Sequence, residues 1–287
     1  MKKISKAVFP VGGMGTRFLP ATKSIPKELL PIIDKPLIQY AVEEAIMADI
    51  DTLIFITSAS KHAISDHFDP MPDLREKFMR QNKIQLLEKL DTLPLSITRV
   101  FIPQGQPLGL GHAVLQAEAM IEEDEYFAVI LADDFIVGDN STTAELIQVA
   151  TDQRAATISV EQVPEKRISS YGVIAPDTWT GNFCQVKSIV EKPSVADAPS
   201  DFGVIGRYVL PHKIFDYLKQ TQEDKNNEIQ LTDAIQGLVD ENLLRAVKLS
   251  GQRFDCGSHA GFVLANLHVA MQNEELKETI VEHVNNV

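Results

Sequence analysis

Short runs of apolar residues punctuate this chain, with longer helix-like segments between them. The runs Ala7–Val11, Leu53–Thr57, Ile97–Ile102 and Phe127–Ala132 read as strands. "ILADD" is apolar until it ends in carboxylates, as a strand buried on both faces would. Helices are expected at Pro36–Ala48, Asp73–Leu90 and Gly111–Ile121, which gives the order β-α-β-α-β-α-β. That order predicts a mainly parallel sheet flanked by helices. Further strands are expected at Ala155–Val160, Gln185–Val190 and Val204–Leu210. Further helices are expected at Thr142–Ala150, His212–Lys219 and Leu231–Asn242, with one long helix over Ala260–Val284. The later strands lack regular helices between them, so they should extend the same sheet in mixed directions. The expected fold is a Rossmann-like α/β domain spanning 1–287, with no repeat or long linker.

Composition supports this and narrows the partners. A chain of 287 residues with 44% hydrophobic content can bury a large core. It has no apolar run of the roughly 18 residues that a membrane span needs. "MKKISKAVFPVGG" is interrupted by Pro10 and glycines, so it reads as the first strand of a cytoplasmic protein rather than a signal peptide. Cys184 and Cys256 have no metal-ligand spacing and read as core or site-lining thiols. The net charge is −13, and the absence of a basic stripe argues against nucleic acid. An acidic chain that binds an anion must concentrate cations locally.

Such a concentration follows the first strand. "VGGMGTRFLPATKSIPKELLP" carries Gly12, Gly13 and Gly15, then Arg17, Lys23 and Lys27. The glycines permit close backbone approach to a ligand. The spacing fails G-x-G-x-x-G, because Phe18 stands at the third glycine, and no G-K-[ST] follows. Arg17 offers a planar fork to phosphate and the lysines offer point charges. From these residues alone, a phosphate grip and a solvated turn both remain open. Asp133 and Asp134, at a strand end, suit either a metal site or a turn. In "VKSIVEKP", Lys192 can meet an anion or form an exposed ion pair.

"GMGTRFLPATKSIPKELLPIIDKPLIQY", "GLGHAV", "VEKP" and "EIQLTDAI" together resemble the bacterial UTP–glucose-1-phosphate uridylyltransferases of the sugar-nucleotidyltransferase superfamily. The likeness runs from Ala7 to about Ala270. It implies a nucleotide-binding half over about 1–135, a sugar-binding half over about 136–260 and a C-terminal helix over about 260–287. It implies that Arg17 and Lys27 contact phosphates, that Gly12, Gly13 and Gly15 cover the nucleotide, and that Gln104 and Gly109 read the pyrimidine. His112, beside that turn, is not assigned as a base. Lys192 would hold the phosphate of glucose 1-phosphate, and Glu191 the sugar hydroxyls. Gly172, Gly203 and Glu228 would complete the sugar side. Asp133, and Asp255 from "DCG", would bind Mg²⁺, with Asp134 behind them or on the substrate side.

The resemblance thus implies UDP-glucose and pyrophosphate as products of UTP and glucose 1-phosphate, made by a homodimer or homotetramer. Three departures stand out. Leu108 replaces a customary Lys before "GLGHAV", His259 replaces a Lys after "DCG", and "DFGVIGRY" replaces an Asn-containing segment. They keep open a weakly active regulatory paralogue and a transferase for another sugar or for dTTP. A nicotinamide oxidoreductase is disfavoured by the missing third glycine.

Overall fold

Along β1 (Lys6–Pro10), Ala7 and Phe9 face one helical layer and Val8 faces the other, all fully buried. Burial of both faces is what the apolar run Ala7–Phe9 dictates, because successive side chains point to opposite sides of the sheet. The structure is a computed structural model that describes residues 1–90 and 93–286. The next strands are β2 (Pro31–Ile32), β3 (Lys35–Pro36), β4 (Thr52–Thr57), β5 (Thr98–Pro103), β6 (Tyr126–Ile130) and β7 (Asp134–Val137). They are followed by β8 (Ala156–Gln162), β9 (Gly172–Pro176), β10 (Phe183–Glu191), β11 (Phe202–Pro211), β12 (Leu244–Lys248) and β13 (Gln252–Asp255). The helices are α1 (Leu37–Met47), α2 (His62–His67), α3 (Pro72–Arg80), α4 (Ile84–Leu90) and α5 (Gly109–Leu115). Then come α6 (Thr142–Gln153), α7 (Ile214–Gln220), α8 (Leu231–Asp240), α9 (His259–Ala270) and α10 (Glu274–Asn285).

Nine strands form one sheet in the order β5-β4-β1-β6-β11-β8-β12-β10-β9. The first four are mutually parallel. Beyond them only β8 and β12 pair in parallel, and the other neighbours are antiparallel. Parallel pairing therefore characterises the first half, and the second half is the mixed extension. From β1 the chain moves out to β4 and β5, then returns to the other side of β1 at β6. Loops leaving β1 and β6 diverge at that reversal, where open α/β sheets place their ligands.

Local chemistry explains where the expected elements differ. The single helix expected over 73–90 is two, broken at Asn82 with a φ of 52°. The long C-terminal helix is also two, because the Asn273 side chain accepts the Leu276 N–H at 3.1 Å and starts α10 afresh. The helix expected from Leu231 is α8, with Gln230 as its cap residue and Thr232 within its first turn. The short elements α2, β9 and β12 lacked a strong enough pattern to be foreseen. On α9, Phe262 and Val269 pack inward beside Phe135 and Phe254, while Leu264 and Leu267 stay exposed. No helix among the described residues is long and apolar enough to cross a membrane.

Candidate active site

A cleft of about 880 Å³ opens at the carboxyl ends of β1, β5 and β6. Its far wall is the end of β10 and the start of β9, where Glu191 pairs with Gly172. The loop after β1 runs through three short 3₁₀ turns, Thr16–Phe18, Ala21–Lys23 and Lys27–Leu29. Arg17 and Lys27 line the cleft, whereas Lys23 is exposed outside it.

Lys27 reaches across to the turn after β6, where its Nζ donates to Asp133 Oδ2 at 2.6 Å. Burial alone would raise the Asp133 carboxyl, but the Lys27 charge and hydrogen bond outweigh it and hold the group below the usual carboxylate range. Burial alone would lower the Lys27 ammonium, and Asp133 with Glu28 holds it above its ordinary value. The two therefore meet as an ion pair. Next to it, Lys61 is buried and donates to the Val11 carbonyl at 2.6 Å and to Glu28 Oε2 at 2.8 Å. It ties the glycine loop to the cation loop. Nothing in the local sequence marked it, because its partners are 50 and 33 residues away.

Gly12 and Gly13 line the cleft. A Cβ on Gly12 would stand 2.7 Å from Gln104 Oε1, so this glycine lets the Gln104 amide in. That amide donates to His112 Nδ1 at 2.8 Å, which makes His112 an orienter of Gln104. Gly109 has a φ of 95°, and its bare Cα packs against Glu228 and the Ile229 carbonyl. Gly15 does not line the cleft. It packs behind, where a Cβ would press on Lys27 Cβ at 3.2 Å. Gly203 is also outside, beneath Tyr171 and Val163. Thr232, by contrast, lines the cleft opposite Gly172.

Asp133 Oδ2 and Asp255 Oδ1 lie 3.2 and 3.1 Å from the point where a Cβ on Gly257 would stand. Both carboxylates therefore border one space kept open by a glycine. Two hard oxygen donors bordering one space suit Mg²⁺, which takes few protein carboxylates and completes its octahedron with water and phosphate oxygens. Asp134 faces away from that space. Its Oδ2 accepts the Gly206 N–H at 2.8 Å, and its Oδ1 is paired with Arg253. Arg207 clamps the Asp133 turn from behind, donating to the carbonyls of Leu131 and Asp134 at 2.9 Å each. Its counter-ion is Glu44 of α1, at 2.8 Å. Cys184 and Cys256 are buried free thiols, pushed by burial up to about 11 and 12. Neither offers a thiolate near neutral pH.

On the far wall, Lys192 and Glu191 are paired at 2.9 Å, and Lys192 has a φ of 46°. Its N–H donates to the Tyr171 carbonyl at 3.0 Å. Glu228 is steadied by the Gln230 amide at 3.1 Å. The cleft therefore gathers Gly12, Gly13, Arg17, Lys27, Gln104, Gly109 and Asp133 with Gly172, Glu191, Lys192, Glu228 and Asp255.

Residues 6–272 match the family model described as nucleotidyl transferase. The chain is 44% identical over 281 residues to the UTP–glucose-1-phosphate uridylyltransferase of Bacillus subtilis (strain 168), covering 98% of this chain and 96% of that protein. It is 42% identical to the Staphylococcus epidermidis enzyme of the same name, covering 98% and 97%. A solved UTP-bound UGPase from Acinetobacter baumannii superimposes with a TM-score of 0.89 at 39% identity, covering 99% of this chain and all of that one. A UDP-glucose pyrophosphorylase complexed with UDP-glucose gives 0.84 at 38% identity, covering 94% of this chain and all of that one.

Proposed function

We infer that this chain, which belongs to the nucleotidyl transferase family and within it to the UTP–glucose-1-phosphate uridylyltransferases, makes UDP-glucose and pyrophosphate from UTP and glucose 1-phosphate. The observation that carries the reading is one cleft in which Lys27 and Asp133 face Glu191 and Lys192 across the sheet edge. The glycine loop and the Gln104–Gly109 turn form the nucleotide side, and Gly172, Glu191 and Glu228 the sugar side.

A phosphate oxygen of glucose 1-phosphate attacks the α-phosphorus of UTP in line, and pyrophosphate departs. The nucleophile is already anionic near neutral pH, so no general base is required. Catalysis is then positioning and charge neutralisation. Lys192 holds the nucleophilic phosphate, and Arg17 and Lys27 neutralise the nucleotide phosphates. Asp133 and Asp255 are the residues that would hold Mg²⁺, which, when bound, draws negative charge from phosphate oxygens.

Lys192→Ala should lower kcat/KM by at least about a hundred-fold while the variant melts near the wild-type temperature. Unchanged turnover would sink the assignment. The reading as a whole is tested by offering four NTPs and dTTP against several sugar 1-phosphates, with and without Mg²⁺. Pyrophosphate release at ordinary turnover with UTP and glucose 1-phosphate is expected. Its absence would favour a regulatory paralogue.

A further inference from the structure

Two guanidinium groups meet at one tyrosine hydroxyl on the far wall. Arg253 Nη2 donates to Tyr171 Oη at 2.8 Å, and Arg167 Nη2 donates to the same oxygen at 2.7 Å. The two arginines differ in what else they do. Arg253 has a side chain only 4% exposed, and each of its nitrogens is engaged, Nε by Glu161, Nη1 by Asp134 and Nη2 by Tyr171 and Glu161. It is a structural brace. Arg167 is 42% exposed and lines the cleft. Both of its hydrogen bonds, to Tyr171 and at 2.6 Å to Asp255 Oδ2, come from Nη2. Among the described residues Nε and Nη1 donate to nothing, which leaves three of the five guanidinium N–H groups open.

The position of that open fork is set by its neighbours. Tyr171 precedes Gly172, and its carbonyl accepts the Lys192 N–H. Arg167, Gly172 and Lys192 line the same cleft, so the open fork looks into the space that the two strand ends border. Its tether to Asp255 sets it between that wall and the carboxylate pair. The turn after Asp255 brings no lysine, since His259 occupies that place and packs against Phe18 with ring centroids 4.7 Å apart. The cation at this pole comes instead from the 3₁₀ turn Glu165–Ser170.

We propose that Arg167 is a second substrate-binding cation, which with Lys192 grips the phosphate of the sugar 1-phosphate. This rests on the uridylyltransferase reading above. A planar fork fixes two phosphate oxygens where a lysine supplies only a point charge, so Arg167 orients the group that Lys192 attracts. Tyr171 and Asp255 hold the fork in place from one nitrogen and leave the rest for the ligand.

The test is steady-state kinetics of Arg167→Ala and Arg167→Lys, varying each substrate in turn, with thermal melting as the control for folding. In the alanine variant KM for glucose 1-phosphate should rise about ten- to a hundred-fold while KM for UTP changes less than about two-fold. In the reverse direction KM should rise for UDP-glucose and not for pyrophosphate. The lysine variant should fall between. An unchanged KM for glucose 1-phosphate, or an equal rise for UTP, overturns the proposal. Should the alanine variant melt below the assay temperature, Arg167→Gln, which keeps a donor at this position, is read by the same criteria. Wild-type protein that turns over neither UTP nor glucose 1-phosphate defeats the underlying reading. Wild-type turnover with an indifferent Arg167→Ala defeats this inference alone.

Discussion

Single positions in the cleft divide by what a side chain there would meet. Gly109 combines a φ of 95° with backbone only 2.9 Å from a hypothetical Cβ, so Gly109→Ala must shift the loop that carries Glu228. The expected outcome is weaker UTP and sugar phosphate binding together, measured by titration calorimetry. Gly203 was grouped with the sugar-binding residues by resemblance, but its neighbours are Val163 and Tyr171, at 2.9 and 3.3 Å from a Cβ. Gly203→Ala should therefore cost about 1–3 kcal/mol of stability through overpacking. Urea unfolding should register that loss. The residue types and spacing of Arg17, Lys27, Asp133 and Lys192 were legible from sequence because a strand-end carboxylate and a post-glycine cation are local patterns. Lys61, Arg167 and Arg253 were not, because an arginine or lysine among other polar residues reads as ordinary surface until its partner arrives.

At the scale of elements, the Asp133 turn is built from three of them. Arg207 on β11 holds its carbonyls, and Glu44 on α1 neutralises Arg207 and accepts from the Thr143 hydroxyl on α6 at 2.7 Å. Burial alone would raise the Glu44 carboxyl, but Arg207 overrides it and holds the group below its ordinary range. Its folded value thus lies below its unfolded one. The pair contributes stability above the usual carboxylate range and loses it as pH falls through the folded value. Glu44→Gln leaves a buried guanidinium uncompensated and should cost about 3–5 kcal/mol at neutral pH. Urea midpoints taken from neutral pH downward should fall less steeply in the variant than in the wild type. The strands of the parallel half were foreseen from their apolar runs. The breaks at Asn82 and Asn273 were not, because helix-like patterning continues across both. A capping side chain or one left-handed residue is enough to interrupt a helix that the pattern alone would carry through.

For the molecule as a whole, the central fact is a net charge of −13 in a protein that takes polyanionic substrates. Lys27 answers Asp133 and Arg167 answers Asp255, so cations and carboxylates alternate around one space. Mg²⁺ held by Asp133 and by the other oxygen of Asp255 would take over the charge balance at Asp133 and leave Lys27 to phosphate. Chelation with EDTA should therefore abolish pyrophosphate release, and added Mg²⁺ should restore it. The melting temperature of the protein without substrates should not move, because Lys27 and Arg167 already satisfy the two acids. A large drop on chelation would mean the metal is structural instead.

Sequence by itself determined the fold class and the glycine and cation loop, because burial periodicity and short-range spacing are written in consecutive residues, and the resemblance of its motifs pointed to the family. Tertiary structure alone decided which charges meet. Lys27 finds Asp133 across 106 positions, Arg167 finds Asp255 across 88 and Arg207 finds Glu44 across 163. Those pairings depend on the order of strands in the sheet, and a polar side chain's local sequence carries no record of which distant strand end will stand beside it.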